Sequence, residues 1–386
     1  MKKELLPTRM NIMRMLSTFR LLVLLWLIMP TIIAQAGDTI KVCGQNVQNF
    51  FYSLDRGRTQ GNWIPISNYN TVEGRQAKAE AIAKALATCE ADIYAFNEVE
   101  ARTTTADTEA MQILANEMSK ATGYNYVMVS DGLIYDPQSY APGQIKSGFI
   151  YRTDRVETVG ENTSTAVGYT IAYPYMMRMQ TFRSKDSSEQ FTLSMNHFKA
   201  STSDDISEDV KKREQNANAL LKGLAGALDP DILIMGDLNS MMGEKCLTII
   251  QNAGYEEQLI RFEGDGAYSY WYDNGKLIDH VFANPTMALQ TVSAKVMHIA
   301  TPHAVGRDNA YSDHDPYLVT LVLEEQPDAA IHDVKTTTLN NTSHQTTPRK
   351  VWVNGQLLIV TPDGRCYNLL KIMTKSGNEL PTAGGR

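Results

Sequence analysis

The run Ile232-Leu-Ile-Met235 constrains this chain more than any other stretch. Four consecutive apolar residues between Asp231 and Gly236 read as a strand buried on both faces, so the fold must cover it from each side. Gly236 then lets the backbone turn, and Asp237 and Asn239 follow at the strand's carboxyl end. Their side chains share one face if the extended conformation continues past the glycine. A carboxylate beside a carboxamide at the tip of a buried strand is where an open α/β sheet places a ligand or a hard metal ion. Asp-x-Asn is equally the composition of a turn that satisfies its own backbone, and the stretch alone leaves both readings open.

The rest of the chain repeats the pattern. Asp38 to Val47 alternates like a strand and delivers Asn46; Asp92 to Phe96 is a second buried strand followed by Asn97-Glu98-Val99-Glu100. Strands are expected at 124–130, 145–152, 179–183 and 317–323, and a clearer one at 190–195 ends in Asn196-His197-Phe198-Lys199. Helices are expected at 75–87, at 108–122 with Asp107 as N-cap, and at 210–228, where apolar residues recur at helical spacing. Leu277-Ile278 leads into Asp279, and Asp313-His314 precedes the last strand. Each polar residue has an ordinary reading: Asn46 and Asp279 as turn caps, Glu98 as a solvated charge, His197 as a satisfied half-buried imidazole, Asp313-His314 as a turn before Pro316. Six strand termini that all carry metal-competent or proton-transferring groups point instead to one site.

The ends of the chain differ from its middle. Lys2, Lys3, Arg9, Arg14 and Arg20 precede the apolar run Leu21 to Ala34, and Ala34-Gln-Ala36 is a small-x-small cleavage site. That reads as a secretory signal peptide over residues 1–36, cut near Ala36, with Met10 and Met13 as alternative starts. The run is short and contains Pro30, which argues against a retained anchor, and no other segment is apolar enough to span a bilayer. Loss of five basic residues and Glu4 takes the formal charge of −7 to −11. So acidic a product is not a stoichiometric packager of nucleic acid, because that affinity comes from neutralising phosphates; it can still meet phosphate at a local patch. The expected location is extracellular, periplasmic or on the cell surface.

Cys43, Cys89, Cys246 and Cys366 match no zinc spacing, and an oxidising compartment permits disulfides or buried thiols alike. Residues 326–349 form a Thr/Asn-rich linker, and 350–386 hold two short strand signals with Asn354-Gly355 and Asp363-Gly364 turns. Asn162, Asn340 and Asn341 head N-x-Ser/Thr sequons, which matter only in a host that glycosylates them.

Taken together, Asn46, Asn97-Glu98-Val99, Asn196-His197-Phe198-Lys199, Gly236-Asp237-Leu238-Asn239-Ser240, Leu277-Ile278-Asp279-His280 and Ser312-Asp313-His314-Asp315-Pro316 resemble the endonuclease/exonuclease/phosphatase superfamily in order and spacing, over about residues 37–325. The blocks Arg75-Gln-Ala-Lys78, Tyr268-Ser-Tyr270 and Leu277-Ile-Asp-His280 are most similar to bacterial extracellular, pancreatic deoxyribonuclease-like nucleases. The resemblance implies a four-layer α/β sandwich, two mixed β-sheets face to face with helices outside, plus the small β tail. It implies that Glu98, with Asn46 and Asp313 nearby, binds the metal. His314 would activate water and Asp279 orient it, while Asp237 and Asn239 position nucleophile and phosphate. His197 would stabilise the phosphate or assist the leaving oxygen, with Arg178 as a phosphate contact and Lys199 and Arg152 as electrostatic candidates. Oxygen ligands favour Mg²⁺, with Mn²⁺ as a substitute and Ca²⁺ in a structural role. The family usually has Gln where Asn97 stands. That change shortens an amide behind Glu98 and is expected to leave activity intact. The implied reaction is in-line attack of water on a phosphodiester of DNA, and of RNA as a further substrate, by a monomer. Two other readings keep the same residues: a lipid or inositol phosphate as substrate, and a non-catalytic surface protein. The tail at 351–369 resembles the short sorting or attachment tail of exported Bacteroidetes proteins. The loops 50–71 and 131–144 are expected to set specificity.

Overall fold

The computed structural model describes residues 38–52, 72–101, 109–130, 144–165, 176–201, 206–272 and 275–323 in full, and the backbone of 349–353, 356–360 and 366–368. The leader, the linker and most of both specificity loops lie outside the described residues. Among those described, no helix is long and apolar enough to cross a membrane.

Two six-stranded sheets carry the fold. The first contains β1 (Asp38–Phe50), β2 (Ile93–Glu100), β3 (Tyr126–Met128), β4 (Ile145–Arg152), β11 (Thr291–Val296) and β12 (Tyr317–Leu323), in the order β11-β12-β1-β2-β4-β3. The second contains β5 (Val156–Ser164), β6 (Met177–Ser184), β7 (Gln190–His197), β8 (Ile232–Asp237), β9 (Glu256–Glu257) and β10 (Asp279–Ala283), in the order β5-β6-β7-β8-β10-β9. The β1/β2 and β7/β8 pairs are parallel and their other neighbours antiparallel, so both sheets are mixed.

The four layers follow from which strand faces are apolar. Ile40, Val42, Ile93, Ala95 and Phe149 from the first sheet meet Phe182, Leu193, Met195, Leu233, Met235 and Val281 from the second in one core. The outer face of the first sheet packs on helices α1 (Val72–Leu86) and α2 (Ala110–Thr122) through Tyr94, Phe96, Ile82, Leu86, Met111 and Leu114. The outer face of the second packs on α3 (Ile206–Leu224) and α4 (Lys245–Asn252) through Ile232, Ile234, Phe282, Leu220 and Ile250. Ile232 to Met235 therefore alternate between two cores, which is why all four are apolar. Each such side chain taken fully out of water is worth about 1.5–3 kcal/mol. Three short helices, α5 (Gln258–Glu263), α6 (Pro285–Gln290) and α7 (Pro302–Val305), fill the connections.

Several boundaries moved. The N-cap of α2 is Glu109, whose carboxylate accepts the Met111 N–H, and Asp107 lies outside the described residues. The strands β5, β9 and β11 and the helices α4 to α7 had no clear periodic signal, because short, half-exposed elements bury too little for one. The chain divides into two compact units, residues 1–324 and 325–386. The second contains a three-stranded antiparallel sheet, β13 (Arg349–Val353), β14 (Gln356–Val360) and β15 (Cys366–Asn368), one strand more than the two expected. Cys43, Cys89 and Cys246 are buried free thiols.

Candidate functional site

Strand direction brings the polar residues to one edge of the sandwich. The parallel pairs β1/β2 and β7/β8 deliver their carboxyl ends there, while β10 and β12, antiparallel to β8 and β1, begin there. Asp279 is accordingly opposite Asp237 in the ladder, and His197 is beside it.

The first sheet reaches the site by breaking its own regularity. Asn46 and Glu98 do not end their strands, as the sequence suggested; they sit where the β1/β2 and β2/β4 registers shift. Bulges of this kind re-aim side chains. Gln48 (φ 49°), Asn49 (φ 51°) and Glu98 (φ 62°) all occupy the left-handed region, a cost that clusters at functional sites. The reward is local: Asn49 N–H donates to Glu98 Oε2 (2.8 Å), and Gln48 N–H donates to Asn46 Oδ1 (2.9 Å). The Asn46 amide nitrogen donates to Glu98 Oε1 (3.1 Å) and, across the inter-sheet gap, to Asp237 Oδ2 (3.0 Å).

In the second sheet Gly236, at φ 139°, is required by crowding: a Cβ there would lie 1.9 Å from Asn196 O. Beyond it both readings of Asp-x-Asn hold at once. Asn239 is left-handed (φ 49°), and Asp237 Oδ1 accepts its N–H at 2.9 Å, closing a turn. The other oxygen of Asp237 faces the cleft, with His197 Nε2 at 3.6 Å and His314 Nε2 at 3.7 Å. The Asn239 side-chain amide donates to Phe198 O (3.1 Å) and so ties this turn to the end of β7.

His314 is held from behind. Its Nδ1 lies 2.7 Å from Asp279 Oδ2, which also accepts the Ser269 hydroxyl at 2.7 Å. This fixes the ring with Nε2 toward the cleft. Burial disfavours the imidazolium, but the Asp279 and Asp237 carboxylates outweigh it and lift His314 well above the usual histidine range. Burial raises Asp237 despite the neighbouring histidines, with Asp279 and Glu98 adding to the rise. Burial likewise pushes Asp313 up to about 7, with His314 opposing and Glu98 reinforcing the shift.

Glu98, His197 and Asp237 form one group whose ligand atoms lie within 4.8 Å of one another, and Asp237, Asp279 and His314 form another. Carboxylates crowded into a buried cleft are a donor set that a hard divalent cation satisfies. Two further groups are left without a hydrogen bond among the described residues, His197 Nδ1 and Asp279 Oδ1. The residues present fit a divalent ion that Glu98, His197 and Asp237 would hold; Asp313 lies beside His314 at 3.9 Å, and Asn46 presents its amide nitrogen to Glu98 and Asp237. Asn46 would then turn its amide so that oxygen replaces nitrogen toward the carboxylates. Such an ion supplies charge neutralisation at the phosphate.

The model of the endonuclease/exonuclease/phosphatase family matches residues 45–314. The chain belongs to that family. Its members are divalent-metal-dependent hydrolases of phosphate esters. Among solved structures, a family protein from Bacteroides thetaiotaomicron is similar at 16% identity and TM-score 0.51, over 75% of this chain and 99% of that one. A mannosyl-6-phosphatase from the same organism is similar at 16% identity and TM-score 0.49, over 74% of this chain and 100% of that one. The human Nocturnin catalytic domain is similar at 15% identity and TM-score 0.48, over 74% and 94%. No curated protein matches the sequence.

Two basic candidates of this phosphoesterase stand elsewhere. Arg152 closes β4 at the far end of the first sheet, because β4 runs antiparallel to β2 and only its start, Ile145, faces Glu100. Seven residues of extended chain put Arg152 roughly 20 Å from the site edge. There it binds Asp154 (2.7 Å) and Asp92 (3.5 Å) and covers the Tyr124 ring at 3.6 Å. Lys199 follows His197, but its ammonium pairs with Asp209 on α3 at 3.2 Å. Arg178 lies in β6 opposite Met195 and donates to Asn162 O at 3.1 Å, one strand from His197.

The structure shows what holds the site residues from behind, including contacts of Asn97 and Lys78 that their motifs did not reveal. Asn97 Oδ1 accepts the Asp237 N–H (3.0 Å), while its nitrogen donates to Ser147 (2.7 Å), whose hydroxyl donates to Met176 O (2.8 Å). The shortened amide therefore stitches the two sheets together directly behind the site. Gln45 donates to His314 O (2.9 Å) and accepts from Tyr311 (3.1 Å). Lys78 is wholly buried and donates to Gln48 O at 2.8 Å; burial lowers its ammonium to about 7 against the pull of Asp313 and Glu98. The available signal was a polar residue inside an apolar strand, as at Gln45 and Ser147.

Proposed function

We propose that the chain is an exported, Mg²⁺-dependent phosphodiesterase that hydrolyses nucleic acid, extracellular DNA foremost. The observation that carries this reading is the pair of imidazoles facing one oxygen of Asp237, at 3.6 Å for His197 and 3.7 Å for His314. His314, oriented by Asp279, takes the proton of the attacking water through Nε2 in its neutral form, which a divalent ion would favour by opposing the carboxylates that otherwise hold the imidazolium. His197, on the other side of Asp237, donates to the phosphate or to the departing oxygen. Asn239 and Asp237 hold the nucleophile and phosphate between them. Proton transfer by positioned groups of this type is worth about 10²–10⁴ in rate.

The leader over residues 1–36 supports export, and the blocks similar to extracellular nucleases support DNA as the substrate.

The test is digestion of supercoiled plasmid by the pure mature protein, residues 37–386. Nicking and linearisation are expected with Mg²⁺, none with a chelator, and recovery when Mg²⁺ is returned. Asp237→Ala should be inert. Intact plasmid and intact single strands in Mg²⁺ or Mn²⁺, with turnover of a lipid or inositol phosphate instead, would overturn the nuclease reading.

A further inference from the structure

One peptide unit links a buried lysine to a carboxylate of the site. Lys78 rises from α1, wholly buried, and its ammonium donates to Gln48 O at 2.8 Å. The N–H of that same peptide, on Asn49, donates to Glu98 Oε2 at 2.8 Å. The peptide is trans, so its oxygen and its hydrogen point opposite ways and the plane is gripped at both ends. A donor on the carbonyl strengthens what the N–H gives to the carboxylate, because hydrogen bonds in a chain polarise one another. With Oε2 held in this way, Glu98 Oε1 is left toward His197 Nε2, at 3.8 Å, where the ion would sit.

Packing does not ask for a lysine at this position. The buried face of α1 otherwise consists of Ala79, Ile82, Ala83 and Leu86, with Arg75. Position 78 lies in line with them, where an apolar side chain would bury without the cost of an ammonium. Arg75 supplies the comparison. Three residues earlier and nearly as buried, it donates to Tyr52 O at 3.1 Å, and Gln76 accepts the Tyr52 hydroxyl at 2.8 Å. These two secure the chain just past the end of β1. Lys78 instead secures the left-handed pair Gln48 (φ 49°) and Asn49 (φ 51°), a conformation that persists only where its surroundings hold it. Were that peptide to turn over, Glu98 would meet a carbonyl oxygen in place of an N–H.

We propose that Lys78 is a positioning residue for the divalent ion: it locks the 48–49 peptide, which aims Glu98, and so sets the affinity of the site for the ion. This rests on the metal-dependent phosphoesterase reading and holds whichever ester is the substrate. Lys78 acts through the peptide and not on the ester.

The experiment measures the affinity for Mg²⁺ twice on the mature protein, residues 37–386. Mg²⁺ is titrated against the melting temperature, and against hydrolysis of bis(4-nitrophenyl) phosphate, a simple diester. The melting arm does not depend on which ester the enzyme takes. Lys78→Met keeps most of the side chain's length and removes the ammonium. It is expected to raise the Mg²⁺ midpoint about tenfold in both titrations, as loss of a group that holds a metal ligand does, with kcat at saturating Mg²⁺ within about threefold. Lys78→Gln keeps a neutral donor on a shorter arm and should raise the midpoint less. Arg75→Met should lower the melting temperature without metal and leave the midpoint within about twofold, a split that a merely structural role of Lys78 would not produce. A midpoint within about twofold of wild type in the Lys78 variants, an equal shift in Arg75→Met, or failure of both Lys78 variants to fold overturns the proposal and leaves the phosphoesterase reading intact. A wild type whose melting and hydrolysis both ignore Mg²⁺ overturns the metal-dependent reading, and the proposal with it.

Discussion

The two ends of the sandwich are both rich in acid, and they use it in opposite ways. At the far end Asp38, Asp92 and Asp186 surround Arg155: its guanidinium lies 3.2 Å from Asp38 and 3.4 Å from Asp92, contacts Asp186, and donates to Thr39 O at 2.7 Å. Arg152 adds a second cation to Asp92. At the site end Glu98, Asp237 and Asp313 gather around two histidines, with Lys78 buried nearby, its ammonium lowered to about 7 by burial. Paired acids lock strand ends together. Acids left facing one another in a buried cleft are a donor set that a divalent ion can satisfy; burial first, and the neighbouring acids after it, raise the Asp237 and Asp313 carboxyls.

Substitutions at the two ends should therefore separate activity from stability. The largest effect is expected from His314→Asn, about a thousandfold in kcat/KM on plasmid DNA with a melting temperature lowered by only a few degrees. A far larger fall in melting temperature would place His314 among structural residues. At the other end Arg155→Met should cost about 2 kcal/mol by denaturant titration, since it strands partly buried carboxylates, and leave kcat within about twofold. Loss of activity without loss of stability would break the division. Asn97→Gln restores the longer amide of the family. Here it must fit between Ser147 and the Asp237 N–H, so a modest effect, about threefold in kcat and under 1 kcal/mol, is expected. An unchanged enzyme would show that the stitch between sheets tolerates either length.

The smallest effect concerns another acid at the far end, beside Thr192 near the start of β7. Burial raises Asp229, in the turn before β8, from 3.8 to about 6. A carboxyl raised by folding stabilises the fold while protonated in both states, below its unfolded value. That contribution disappears as pH rises through about 6. Asp229→Asn keeps the acceptor for the Asp231 N–H (2.9 Å) and should flatten the decline in melting temperature between pH 4 and 6. An identical slope in wild type and variant would refute it.

Much of this was written locally. Ile232 to Met235 declared a strand with two covered faces, 145–152 and 317–323 were located to the residue, and polar strand termini named Asp237, Asp279 and His314. Those signals survive in one dimension because burial repeats along a strand and a motif is contiguous. Arg152 misled for the same reason. A basic residue ending a strand looks alike at either end of a sheet, and only the antiparallel course of β4 sends it away.

What the sequence determined alone is the inventory: which strands are buried and which groups their termini carry. The tertiary structure decided how those groups meet. The bulges that swing Asn46 and Glu98 inward, the Asn97 stitch from one sheet to the backbone of Asp237, and the Gln48 carbonyl seated on Lys78 join residues distant in the chain. Their energy lies in hydrogen bonds made only when two sheets close over one core, so no local pattern could encode them.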